Sequence, residues 1–226
     1  FLTHVGGESL LPKYNWLSSL TLSTMYEPFF QSGVKLSYKP IEQLEAQLHV
    51  LNGYGIFDDN NTDKTIGYLL SYSPVSSFNV TIDGTVGNEQ PAGTPSALRL
   101  YNNVNATFQP MDSLGFKGQV DFATQAGSAN PYLSALLAAR YSFTPKLSLS
   151  LRGEYINDPA KMLTAGLMGY GGTAGLEFKP TDNSYIRLEG RQLMLGSDDA
   201  NKMFTDASKT KTGNRLEGML SLGVSF

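Results

Sequence analysis

Apolar and polar residues alternate along most of this chain, in units punctuated by proline. Counted back from Pro40, Pro74, Pro110, Pro145 and Pro180, every second position reads Tyr38/Leu36/Val34, Tyr72/Leu70/Tyr68, Phe108/Ala106/Val104, Phe143/Tyr141/Ala139 and Phe178/Leu176/Ala174. The positions between them are mostly polar or small: Ser37/Lys35, Ser71/Leu69, Thr107/Asn105, Ser142/Arg140 and Glu177/Gly175. Successive side chains of a strand point to opposite faces, so a period of two marks a strand with one apolar face. The pattern resumes after each proline, as in Val80/Ile82 against Thr81/Asp83 and Ile186/Leu188 against Arg187/Glu189.

The prolines are 34, 36, 35 and 35 residues apart. A period of that size is an architectural repeat. Each unit reads as strand, short proline turn, strand, since proline lacks a donor and suits a turn better than a central ladder. The pattern predicts eleven strands, near 31–38, 44–52, 65–73, 78–87, 97–108, 114–124, 132–143, 146–156, 166–178, 184–194 and 213–226. At about ten residues each they have the length of a tilted membrane-crossing strand.

The remaining connections, 53–64, 88–97, 124–131, 157–166 and 196–213, are longer and polar. Short turns on one side and long loops on the other are the asymmetry of a transmembrane antiparallel up-and-down β-barrel, an all-β fold. Tyr38, Tyr72, Phe108, Phe143 and Phe178 then form an aromatic girdle at the membrane interface beside the turns. The final strand carries Leu216, Gly218, Leu220, Leu222, Val224 and Phe226 on one face, and Phe226 extends the aromatic set. A terminal aromatic on an alternating strand is similar to the signal read by the outer-membrane assembly machinery. The alternative is a soluble sandwich or lipocalin-like barrel, which alternates equally but turns its apolar face inward. The charged face here carries few bulky residues with which to fill a core.

Composition narrows the classes. No stretch of about 18 apolar residues occurs, which excludes a spanning helix. There is no cysteine, hence no disulfide and no thiolate chemistry or metal site. The net charge of −3 argues against a nucleic-acid partner. Asp59-Asn60-Asn61-Thr62-Asp63 spaces oxygens as a calcium loop does but lacks the glycine and distal glutamate. The two histidines, His4 and His49, have no serine or aspartate arranged around them for nucleophilic catalysis. The chain is read as a non-enzyme, without cofactor or metal.

Residues 31–38 descend to the Pro40 turn, so residues 1–5 should ascend as the tail of a further strand. The segment 6–30 is long and apolar for a surface loop. Asn15 could cap a short helix over Trp16–Leu20; the segment is read as a loop folded into the barrel.

Phe1-Leu2-Thr3-His4-Val5-Gly6, Asn15, Phe29-Phe30-Gln31-Ser32-Gly33-Val34-Lys35-Leu36-Ser37-Tyr38 and Val50-Leu51-Asn52-Gly53-Tyr54 resemble the porin-2 type of outer-membrane β-barrel porins of Gram-negative bacteria. In that family a strand leads into a long loop, followed by a strand of aromatic-x-(Ser/Thr)-Gly-Val form and one ending in Asn-Gly-aromatic. The loop departs from the family in having Leu17–Leu20 where an arginine often follows the asparagine. The resemblance implies a porin, with 6–30 as its constriction loop. In general porins such a loop follows the fifth strand. The chain would then hold the last 11–12 strands of a sixteen-stranded barrel, lacking its N-terminal strands; the competing reading is a closed twelve-stranded barrel. Implied partners are outer-membrane lipid, small hydrophilic solutes or ions, and a homotrimer or other outer-membrane proteins.

If the apolar stripe meets lipid, the other face lines a lumen. The expected pore-lining residues are Lys35, His49, Arg99, Lys117, Asp121, Arg140, Arg152, Glu154, Arg187, Glu189, Arg191, Arg215 and Glu217, with Asp83 and Glu177 on the same face. They would either impose a transverse field on solutes or brace the wall through cross-strand pairs.

Overall fold

A computed structural model describes residues 1–196, 198–199 and 201–225. Phe226, expected in the girdle, lies outside them. Ten strands follow in chain order: β1 (Gly33–Ile41), β2 (Leu44–Leu51), β3 (Thr65–Val75), β4 (Phe78–Asn88), β5 (Leu98–Met111), β6 (Leu114–Gln125), β7 (Tyr132–Thr144), β8 (Leu147–Asn157), β9 (Met168–Phe178) and β10 (Ser184–Leu195). A small hairpin, β11 (Phe204–Thr205) with β12 (Lys211–Thr212), interrupts the connection to β13 (Asn214–Val224). Apart from that hairpin all are neighbours in one 11-stranded antiparallel sheet, ordered as in the chain. The eleven expected strands are these eleven. Among the described residues β1 pairs with β2 alone and β13 with β10 alone.

The prolines act differently from the expectation. Pro40, Pro74 and Pro110 lie within β1, β3 and β5, where the register shifts between Tyr38 and Ile41, Tyr72 and Val75, and Phe108 and Met111. Ladder pairing resumes at Ile41↔Leu44, Val75↔Phe78 and Met111↔Leu114, so the tight turn comes just after the proline. A bulge leaves one residue out of the ladder, and a residue without an N–H loses nothing there. Pro145 and Pro180 sit in the connections themselves, the first between Thr144 and Leu147 and the second between Phe178 and Ser184.

Burial decides which face is which. Along β9, exposed and buried residues alternate without a break. The exposed set is the apolar one: Val34, Leu36, Leu137, Leu188, Leu216 and Leu220 all face outward. The buried set is charged and polar: Asp83, Asp121, Arg152, Glu177, Arg187 and Glu189. A protein folding in water buries the reverse set; the arrangement belongs in hydrocarbon, where the exposed stripe needs no cover. Tyr38, Tyr72, Phe108, Phe143 and Phe178 are exposed on the outward face at the turn end.

Residues 1–32 lie against the inner face. They contain two 3-10 turns, Pro12–Tyr14 and Thr24–Tyr26. The expected strand over 1–5 is absent: one antiparallel bridge joins Leu2 to Phe30, and Val5 turns into a cluster with Tyr101, Ala123, Tyr132, Ile156 and Leu167. Burying Val5 against those side chains is favourable by about 1.5–3 kcal/mol. Asn15 does not cap a helix. Its Oδ1 accepts from Ser9 N (2.9 Å) and its Nδ2 donates to Ser9 O (2.6 Å), closing the loop on itself.

Candidate functional site

The site is the contact between the charged inner face and the N-terminal segment that crosses it. Strand register brings the charges together. Arg187 pairs across the ladder with Glu177, and Arg191 with Glu217. Side chains at these positions share one face, so the cross-strand pairs meet. Arg187 Nε reaches Glu177 Oε2 at 2.6 Å, and Arg140 Nη2 reaches Glu177 Oε1 at 2.5 Å. Arg191 Nη2 lies 2.7 Å from Glu154 Oε1 and its Nη1 3.8 Å from Glu217. Arg215 Nε closes the row on Glu217 Oε1 at 2.8 Å.

The same residues hold the segment. Arg152 Nη1 donates to Glu8 Oε1 (2.8 Å) and to the Ser19 carbonyl (2.6 Å). Arg187 donates to the carbonyls of Pro12 (2.8 Å) and Asn15 (2.7 Å). Glu189 accepts from the backbone of Ser18 and from Ser19 N (3.2 Å) and Oγ (2.8 Å). Glu154 Oε2 accepts from Leu22 N (2.6 Å). Glu8 Oε2 gathers Thr21 N, Thr21 Oγ1 and Thr24 Oγ1 at 2.8, 2.8 and 2.9 Å. Removing such charges from water costs several kcal/mol apiece. Here each is met by both an opposite charge and backbone dipoles, or by several donors.

Towards β4–β6 the site changes character. Asp121 accepts from Tyr101 Oη (2.9 Å), Asn103 Nδ2 (2.5 Å), Gln119 Nε2 (3.1 Å) and Ser134 Oγ. Asp83 accepts from Gly6 N and Asn105 Nδ2, both at 3.3 Å. Gln119 bridges the web to the segment, accepting from Gly7 N (2.8 Å) and donating to Glu27 Oε1 (2.7 Å). Burial, then the nearby Asp121, pushes the Glu27 carboxyl well above its ordinary range.

His49, expected to line a lumen, is instead covered. His4 of the segment stacks on it with ring centres 3.9 Å apart. His4 Nε2 lies 3.0 Å from the Gly84 carbonyl, and the buried Nδ1 of each ring has no partner among the described residues. Gly67 leaves the room for this stack, since a Cβ there would lie 2.7 Å from the His4 ring.

Of the expected pore-lining set, the structure gathers Arg140, Arg152, Glu154, Arg187, Glu189, Arg191, Arg215 and Glu217 into one network. Lys35, Arg99, Lys117 and Asp121 stand apart. Lys35 Nζ lies over the Phe1 ring, Arg99 is held by Gln125 Oε1 (2.7 Å), and Lys117 Nζ sits 4.8 Å from the centre of the Trp16 ring. Glu8, Glu27, Gln119 and His4 were missed by the sequence reading. Glu8 and Glu27 are the only acidic residues among the first thirty, a signal that they have partners inside the protein. Among the described residues no group of three or more acidic, histidine or cysteine side chains could hold a metal ion.

The fold has relatives among solved outer-membrane proteins. OmpT of Vibrio cholerae superposes with a TM-score of 0.52 at 15% identity, over 73% of this chain and 54% of that one. Its loop L8 deletion mutant gives 0.55 at 15% identity, over 74% and 58%. The form folded in vitro gives 0.55 at 14%, over 85% and 63%. The chain therefore spans between 54% and 63% of the length of these structures. None of the curated proteins matches it significantly. One family model, described as "Putative beta-barrel porin-2, OmpL-like", matches residues 1–226. With its apolar face outward and its charges enclosed, the chain belongs to this porin-2 family of β-barrels of the Gram-negative outer membrane.

Proposed function

We propose that the chain forms most of the wall of a channel for passive diffusion of small hydrophilic solutes and ions, and that it performs no covalent chemistry. The observation that carries this reading is the enclosure of Arg152, Glu154, Arg187 and Glu189 behind an outward apolar face. Charges so placed contribute nothing to lipid contact and set the field along a path for polar solutes. Residues 6–30, fastened by Glu8 and the carbonyls of Pro12, Asn15 and Ser19, are the constriction of that path. Of the expected pore-lining cations, Lys35, Arg99 and Lys117 have no carboxylate partner within 4.0 Å among the described residues and stay available to passing solutes.

An open edge in hydrocarbon leaves a row of unpaired N–H and C=O groups. The free sides of β1 and β13 therefore need partners, and in this reading further strands of a sixteen-stranded wall supply them. Planar-bilayer recording of the native protein tests the function. Stepwise ohmic openings are expected. Silence from folded protein would favour a plugged barrel that anchors other outer-membrane proteins.

A further inference from the structure

A cavity of about 560 Å³ opens at the end of the inner face where the tight turns lie. Trp16, the single tryptophan of the chain, forms part of its wall. The rest of the wall includes Gln109, Asp112, Arg140, Ser142, Ser148 and Lys179. Trp16 also lines a second, smaller cavity together with Lys117, so the ring divides the two. The indole is held in place: Lys117 Nζ lies 4.8 Å from its centre, and a Cβ on Gly115 would come within 3.0 Å of the ring.

Positive charge is in excess at this cavity by one, with Asp112 counted: Arg140, Arg187 and Lys179 stand against Asp112 and Glu177. Glu177 is a single carboxylate with three cations around it: Arg140 at 2.5 Å, Arg187 at 2.6 Å and Lys179 at 3.9 Å. Arg140 uses only Nη2, on Glu177 and on Ser148 Oγ (3.0 Å). Its Nε and Nη1 have no acceptor among the described residues. The indole N–H of Trp16 likewise makes no hydrogen bond among them. A flat aromatic plane, spare guanidinium donors, surplus positive charge and hydroxyl and amide groups thus border one space. A sugar ring presents C–H groups to an aromatic plane and hydroxyls to its sides, and a carboxylate answers the cations. A volume of this size admits one or two such rings.

We infer that this cavity is a binding subsite for sugar acids, in which Trp16 stacks on the pyranose ring while Arg140 and Lys179 take the carboxylate. The assignment deepens the channel reading and rests on it, placing a solute-selective step at the mouth.

Calorimetric titration of the detergent-solubilised native protein with sodium D-glucuronate, D-glucose and sodium benzoate tests it, alongside bilayer conductance of the same preparation. Glucuronate should bind saturably and glucose about tenfold or more weakly, the loss expected when a charge-assisted contact is missing. Trp16→Leu and the exposed Lys179→Gln should each weaken glucuronate binding about as much; Trp16→Phe should restore part of it. Equal binding of glucose, binding of benzoate alone, or glucuronate affinity unchanged in Trp16→Leu would each overturn the subsite. Normal conductance without glucuronate binding would remove the subsite and leave the channel. Binding without conductance would keep the subsite and remove the channel.

Discussion

Arg152 and Glu8 are 144 residues apart in sequence and 2.8 Å apart in the fold. This pair fastens the N-terminal segment to β8. Arg152 also takes the Ser19 carbonyl, so removing it frees that carbonyl and takes from the half-buried Glu8 its one cation among the described residues, while Glu154 keeps Arg191. Arg152→Ala should loosen the segment by about 3–5 kcal/mol. Protease cleavage within 8–24 should rise and single-channel conductance should increase. Arg152→Met combined with Glu8→Gln should lose less than the two single changes summed, and strict additivity would show the pair to be uncoupled.

Gly6 is the hinge by which the segment enters the inner face. Its φ of +90° is the left-handed region, and a Cβ would run into Glu27 Oε2. Gly6→Ala should lower stability by at least about 1–2 kcal/mol from the backbone alone. A thermal melt of the solubilised protein measures it. Adding Glu27→Ala should recover only the steric share; full recovery would mean that the backbone is unstrained.

Acid should loosen the segment through His4. Burial, with Lys35 adding to it, holds its imidazole below the usual histidine range despite the Gly84 carbonyl. In the neutral ring Nε2–H donates to that carbonyl and Nδ1 stays bare and buried. The undocked ring takes up a proton below about pH 6.5, while the docked ring resists it. The contribution of His4 is therefore complete above that pH and declines as pH falls towards the lower docked value. Glu27, its carboxyl raised by burial, acts in the opposite direction, so the His4 share is the difference between the two proteins: from pH 7 to pH 5 proteolysis of residues 1–30 should rise more in the native protein than in His4→Phe. An unchanged slope in that variant would assign the titration to another group.

Leu137 projects outward from β7 with 68% of its surface exposed. Leu137→Arg should cost about 2–4 kcal/mol if it lies near the bilayer midplane. Refolding into lipid vesicles under a urea gradient reads the change. A neutral result would mean that this part of the wall is shielded by another protein.

The strands could be read from the chain because each spells its own faces. Met168–Phe178 alternates residue by residue, and the structure buries and exposes it in step. The count of directions misled at residues 1–5: because 31–38 descends, Phe1-Leu2-Thr3-His4-Val5 should ascend as a strand, yet it lies inside the wall with Val5 in a cluster. Asn15 carried a capping residue's chemistry, yet its amide serves Ser9, because asparagine satisfies loop backbone as readily as helix ends. Glu8 with Arg152 and His4 with His49 were beyond local reading, since they depend on where a long connection crosses the sheet. The prolines marked the hairpins correctly, but their bulge position depends on ladder register, which no single strand states.

The strict alternation of the wall has a consequence for how such a chain reaches its destination. Each strand carries its grease on every second residue, and the stretches between are broken by polar loops. A translocation channel that releases helices of about twenty apolar residues into the inner membrane finds none to release among the described residues. Passage across that first barrier and insertion into the second are thus both written in one spacing. Extended, the chain is too polar to be stopped; folded into a sheet, it gathers its scattered apolar side chains into a continuous belt.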